Sequence, residues 1–152
     1  MSDDDNIQAE RLAIRKRAMD LLARREHAYK ELVTKLAKHE HARDEIEIVL
    51  DGLVDDDLLS DVRFAEASVA SKARRGVGPV RIRAELMQAG VTESVIDTAL
   101  ADSEADWVAI AGAAREKRFG PDWPEDFPTK AKQMRFLQRR GFDGDQLAAV
   151  FD

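Results

Sequence analysis

The chain contains no cysteine, so it forms no disulfide and offers no thiolate to a metal ion. It lacks any apolar run approaching the roughly 20 residues that a membrane-spanning helix needs. The opening Met1-Ser2-Asp3-Asp4-Asp5-Asn6 is acidic and has neither the basic nor the apolar region of a signal peptide. Together these absences place the expected site of action in the cytoplasm, away from membranes. No segment alternates apolar and polar residues with period two, so no sheet is expected. No serine sits in a nucleophile elbow, and no Gly-Lys-Ser/Thr follows a strand-like segment. The scattered carboxylates belong to no predicted cleft. No catalytic residue is therefore assigned, and the chain is expected not to be an enzyme.

What is present is charge and helical periodicity. Charged residues make up 36% of the 152 positions and hydrophobic residues 44%. That supports a core with a large surface around it, as in an elongated body. Ile14, Ala18, Leu21 and Leu22 share a face of a first helix running from about Ala9 to Arg25. Tyr29, Leu32, Val33 and Leu36 form a second stripe, and Ile46, Val49, Leu50 and Leu53 a third. Val62, Ala65 and Val69 open a fourth helix that ends near Arg75, where Gly76-Val77-Gly78-Pro79 breaks the pattern. Pro79 suits the first turn of a fifth helix carrying Ile82 and Leu86, and Gly90 suits its left-handed end. Thr92 is placed to cap a sixth helix. A seventh starts at Trp107. After a loop from Gly120 to Pro128, an eighth runs from Thr129 to Arg140. A short ninth carries Leu147, Val150 and Phe151.

Shifting the sequence by 50 or 51 residues superimposes Leu36, Leu86 and Leu137, then Ile46, Ile96 and Leu147, then Leu50, Leu100 and Phe151. Gly90 and Gly141 coincide as well, with Glu40 in their place in the first unit. The fold expected is all-α, built of three tandem three-helix repeats. The expected divisions are an acidic, flexible tail over 1–8 and repeats over 9–58, 59–103 and 104–152. Each triplet is small for an independent core, so neighbours should pack on one another. Phe64 is expected to anchor the second unit beside Ile82 and Leu86.

The candidate chemistry lies in basic strips. Net charge is −6, yet residues 61–90 carry 6 bases against 3 acids, and 129–141 carry 5 bases and no acid. One strip holds Lys72, Arg74, Arg75, Arg81 and Arg83; another holds Lys130, Lys132, Arg135, Arg139 and Arg140. Arg11, Arg15, Lys16 and Arg17 make a weaker third. Arginine forks suit carboxylate or phosphate, so these faces fit an acidic protein or a nucleic-acid backbone. Arg81 and Arg83 lie on the second helix of their unit, as do Arg135 and Arg139, so stacked repeats would align them in one track. His39 and His41 are two apart and share no helix face, and no metal site is expected from them or His27. Asp55-Asp56-Asp57 reads as a solvated turn, and Gly76-Val77-Gly78-Pro79 as a hinge.

The middle of the chain resembles the RecX family. Leu58-Leu59-Ser60-Asp61-Val62-Arg63-Phe64-Ala65 is similar to the family's Leu-x-Asp-x-Arg-Phe-Ala signature. Gly76-Val77-Gly78-Pro79-Val80-Arg81-Ile82-Arg83-Ala84-Glu85-Leu86 resembles its Gly-x-Gly-x-x-x-Ile-x-x-Glu-Leu segment. Phe136-Leu137-Gln138-Arg139-Arg140-Gly141-Phe142 matches its Phe-Leu-x-x-Arg-Gly-Phe motif. The resemblance covers about residues 9 to 152. One departure is His39-Glu40, where the family commonly has Lys-Gly or Arg-Gly. The resemblance implies three tandem three-helix repeats in a curved, elongated body. It implies a regulator that binds the RecA filament on single-stranded DNA and mainly inhibits recombinase, ATPase and co-protease activity, in homologous recombination, DNA repair and the SOS response. Single-stranded DNA would then be met through the filament, with weaker direct binding, by a monomer that needs no cofactor. The alternative is a helical module that binds DNA directly, without RecA.

Overall fold

A computed structural model describes residues 2–152. Nine helices and no strand form among them: α1 Asp3–Leu22, α2 Tyr29–Ala37, α3 Arg43–Asp55, α4 Asp61–Arg74, α5 Pro79–Gln88, α6 Glu93–Ala101, α7 Trp107–Phe119, α8 Phe127–Arg140 and α9 Gly144–Phe151. Five of these helices, α1, α4, α7, α8 and α9, start where the side chain of the preceding residue satisfies a first-turn N–H group. The hydroxyl of Ser60 accepts from Arg63 N at 3.2 Å, and Asp106, Asp126 and Asp143 accept in the same way at α7, α8 and α9.

Two starts differ from the sequence reading. Ser2 caps α1 by accepting from Asp5 N at 3.2 Å. Asp3, Asp4 and Asp5 then sit in the first turn, where carboxylates favour the positive end of the helix dipole. Residues 3–8 are thus helical in the structure rather than a loose tail. At α8, Asp126 is the cap and Pro128 falls inside the first turn, so the helix opens at Phe127 instead of Thr129. Thr92 does occupy the position before α6, but its side chain makes no capping hydrogen bond.

The helices form three triplets, each around its own core. Ile14, Leu32, Leu36, Ile46 and Leu50 fill the first, Ala65, Ile82, Leu86 and Ile96 the second, and Ala111, Leu137, Phe142 and Leu147 the third. The residues that coincide under the repeat shift therefore do one job three times: Leu36, Leu86 and Leu137 are all buried, as are Ile46, Ile96 and Leu147. Phe64 is half-buried and packs on the Ile82 and Leu86 core. Ala28 belongs to the second core although it precedes α2, and Trp107 packs on both the second and the third. These two residues tie the units together. Accessible surface is 9521 Å². A compact chain of this mass would expose about 7,700 Å². The excess is that of an elongated body.

The joint between the second and third units is made by backbone. Gly78 N donates to Arg140 O at 2.8 Å, and Val80 N to Gly141 O at 2.9 Å. The N-terminus of α5 thus receives the C-terminal carbonyls of α8, satisfying two sets of orphaned groups at once and aligning opposite dipole ends. A Cβ on Gly78 would lie inside the backbone of Gly141 and Phe142, so only glycine permits this approach.

Candidate functional site

The cations on α4, α5 and α8 do not all have the same surroundings. On α5, Arg83 is bound to its own unit: Nη2 donates to Glu93 at 2.6 Å and Nε to Asp97 at 3.0 Å. Hydrogen bonds to Asp97 and then Glu93 raise its pKa. Lys72 and Arg81 both pair with Glu85, Arg81 at 3.0 Å. The Lys72 ammonium, helped by Arg81, holds the Glu85 carboxyl below its ordinary range. These three cations are compensated by acids of the second unit, which weakens their field beyond it.

Arg140 has a structural task. Its Nε donates to Gly76 O at 3.1 Å and its Nη2 to Arg75 O at 2.6 Å. The guanidinium closes the C-terminal end of α4, where a cation is favoured by the helix dipole. It reinforces the glycine joint on the same side. Arg75 turns back on its own helix, with Nη2 3.1 Å from the Ser71 hydroxyl. The structure therefore brings Arg74, Arg75 and Arg140 together at the junction of the second and third units, and leaves Arg83 on the α6 side.

The remaining predicted cations are free. Arg74, Lys132, Arg135 and Arg139 are exposed and take part in no ion pair among the described residues. Arg135 and Arg139 are one turn apart on α8. Lys130 lies over the Phe151 ring at 5.9 Å. In the weaker strip on α1, Arg11 is held by Glu45 at 2.5 Å, while Arg15, Lys16 and Arg17 are exposed.

Sequence reasoning missed three cations on α7. Lys117 and Arg118 are exposed beside the α4 cluster, and Arg118 lies 5.4 Å from the Phe119 ring and 6.0 Å from Phe136. Glu116 interleaves them, so a search for acid-free basic runs passes over them. Arg115 is buried and makes no ion pair among the described residues. It donates to Gln133 Oε1 at 3.2 Å and to Asp122 O at 3.3 Å, and stacks 4.0 Å from Trp123. It secures the α7–α8 loop from inside. Arg115 falls one turn after Ala111 on the buried face of α7, and nothing local in the sequence signals that a charge remains there.

No group of three or more His, Asp or Glu side chains able to hold a metal occurs among the described residues. None of their helices is long and apolar enough to cross a membrane.

Three family models match in order: the first three-helix domain of RecX over residues 15–53, the second over 60–100 and the third over 104–151. This chain belongs to the RecX family. The regulatory protein RecX of Halorhodospira halophila is 50% identical over 138 residues, covering 91% of this chain and 86% of that protein. The regulatory protein RecX of Pseudomonas fluorescens Pf-5 is 42% identical over 139 residues, covering 91% and 90%. Among solved structures, a regulatory protein RecX superposes with a TM-score of 0.79 at 23% identity, covering 99% of this chain and 78% of that one. RecX from Lactobacillus salivarius superposes at 0.77 with 22% identity, covering 97% and 95%. The RecX fold is therefore all-helical here too, in three tandem three-helix units.

Proposed function

We propose that this RecX-family chain is a cytoplasmic regulator that binds the RecA filament on single-stranded DNA and mainly inhibits its recombinase, ATPase and co-protease activities. It would act as a monomer in homologous recombination, DNA repair and the SOS response, with units over 9–58, 59–103 and 104–152. The observation that carries the reading is the set of uncompensated cations on α4 and α8, carried on an elongated RecX body whose net charge is −6. A long filament offers a repeating, anionic groove. An elongated partner with local basic faces fits it, while net negative charge discourages indiscriminate coating of DNA. Arg74, Arg135, Arg139 and Lys132 would make the contact directly. Arg75, Arg81, Arg83, Lys72 and Arg140 would shape the surface through their own pairs.

The test is an Arg135→Glu/Arg139→Glu variant. Both side chains are exposed, so folding should change by under about 0.5 kcal/mol per site. Inhibition of RecA-dependent ATP hydrolysis should weaken about tenfold or more, and the parent's inhibition should fall with added salt. A folded variant that inhibits as well as the parent overturns the assignment of α8. Equal binding of bare single-stranded DNA and of the filament would favour a direct DNA-binding module instead.

A further inference from the structure

A groove of 820 Å³ opens between α4 and α7, on the boundary of the second and third units. Its floor is made of small and apolar side chains: Ala70 and Ala73 from α4, Ala113 and Ala114 from α7, with Ile110 and Phe136. Its rim carries Arg74, Arg75, Lys117 and Arg118, with Arg140 at the glycine joint and Glu104 as the single acid. The floor is apolar, and no other segment of the chain covers it among the described residues. We propose that this groove is a docking site for an acidic amphipathic helix of a protein partner.

The choice of occupant follows from the lining. Alanines on two neighbouring helices keep the floor flat and low, which lets a third helix approach closely and seat apolar side chains at i, i+3, i+4 and i+7. Cations stand on both walls, Arg74 and Arg75 on one and Lys117 and Arg118 on the other. A helix with carboxylates flanking its apolar stripe would therefore be met from both sides. Arginine forks add bidentate geometry to that attraction. Single-stranded nucleic acid fits less well. It needs open aromatic faces for its bases, whereas Phe136 is half-buried and its ring meets Phe119 edge-on at 5.3 Å. Alanine offers a base no ring, and Glu104 would repel a phosphate.

The inference rests on the reading of this chain as a protein-binding regulator, and it is tested on the free chain so that the two can fail separately. The probe is a fluorescein-labelled synthetic helix of about 14 residues, roughly four turns. It carries leucine at i, i+3, i+4 and i+7 and glutamate on both flanks. A second peptide has glutamine in place of every glutamate. Fluorescence anisotropy should show the acidic peptide binding the full chain at least about tenfold more tightly than the neutral one. Ala113→Trp fills the floor from an exposed position, and Lys117→Glu reverses one wall; each should weaken the acidic peptide about tenfold or more, with unchanged helical content by circular dichroism. Equal binding of the acidic peptide by parent and both variants overturns the groove assignment. So does a labelled oligo-dT whose binding Ala113→Trp abolishes, since the groove would then take nucleic acid. Loss of RecA inhibition in Arg135→Glu/Arg139→Glu with peptide binding intact separates the filament surface from the groove.

Discussion

Glu40 stands at φ +62°, the left-handed position that Gly90 and Gly141 occupy at +87° and +105° after the middle helices of the other two units. The repeat shift aligned these three residues, and the geometry explains why two of them are glycine. An L-residue other than glycine pays roughly 1–2 kcal/mol for that conformation. Glu40 is exposed, so its side chain contributes no packing to offset the strain. Glu40→Gly should raise stability by about 1 kcal/mol in chemical denaturation, with no change in the slope of the transition. A second residue-scale effect lies at His27, which is buried between the ends of α1 and α2. Its Nδ1 is 3.1 Å from Arg25 O and its Nε2 3.1 Å from Lys35 Nζ. The ammonium must donate to Nε2, so the ring is neutral with its proton on Nδ1. Burial is the main cause that lowers its pKa from the ordinary 6.5; Arg25 and Lys35 act in the same direction, while the Arg25 carbonyl and Glu31 oppose it. The unfolded chain then takes up a proton more readily than the folded one. Stability is fully present above pH 6.5 and is lost as pH falls through that value toward the folded pKa. Urea midpoints measured from pH 8 to pH 5 should decline in the parent and decline less in His27→Gln. Parallel curves would assign the acid sensitivity to other groups.

At the scale of elements, the glycine joint decides whether the second and third units move as one. Gly78 and Gly141 let α5 and α8 meet end to end through two backbone hydrogen bonds. A methyl group on Gly78 would force the backbones apart, because the atoms it meets are main chain and cannot rotate away. Gly78→Ala should cost about 1–3 kcal/mol, the range for overpacking a tight contact. Gly144→Ala, which points into open space, should change little. Hydrogen exchange should locate the loss of protection in the first turn of α5 and in α8 and α9; uniform loss over all nine helices would contradict a local joint. This joint was half legible. The sequence marked Gly76-Val77-Gly78-Pro79 as a hinge, and Gly141 as a helix stop, but gave no sign that the two meet, since contacts between units carry no periodicity. The middle and last helices of each unit were readable because their buried leucines and isoleucines recur at 50 or 51 residues. The first helices were legible as helices but not as one repeated pattern. Buried Ile14/Ala18, Ala65/Val69 and Ala111/Arg115 hold comparable places on α1, α4 and α7. A longer α7–α8 loop moves the third pair out of register, and its second member is a charge. The free cations of α8 were likewise visible as an acid-free run. The pairing of Arg83 with Glu93 and Asp97 was not, since those acids sit on the next helix.

The whole molecule has three small cores in series, so its shape follows from how each unit leans on the next. Ala28 and Trp107 each pack across a boundary, Asp61 on α4 accepts from Tyr29 N on α2 at 2.8 Å, and the glycine joint closes the second boundary. These links are polar or single-residue contacts rather than a continuous core, so they fix direction without drawing the units into a ball. The exposed surface of 9521 Å² already exceeds what a compact chain of this mass presents. A compact domain of this length has a radius of gyration of roughly 15 Å. Small-angle scattering on the chain in solution should give a clearly larger value, with a pair-distance distribution skewed to long distances. Because the second boundary is held by backbone bonds, Gly78→Ala should broaden that distribution further and shift its longest distances, whereas Glu40→Gly, which acts inside the first unit, should leave it unchanged. A parent curve matching a sphere, or a Gly78→Ala curve superimposable on the parent, would mean that the units are held by something other than the joint. The groove between α4 and α7 opens on that same boundary. A variant that loosens it should therefore lose partner binding without losing the fold of any single unit.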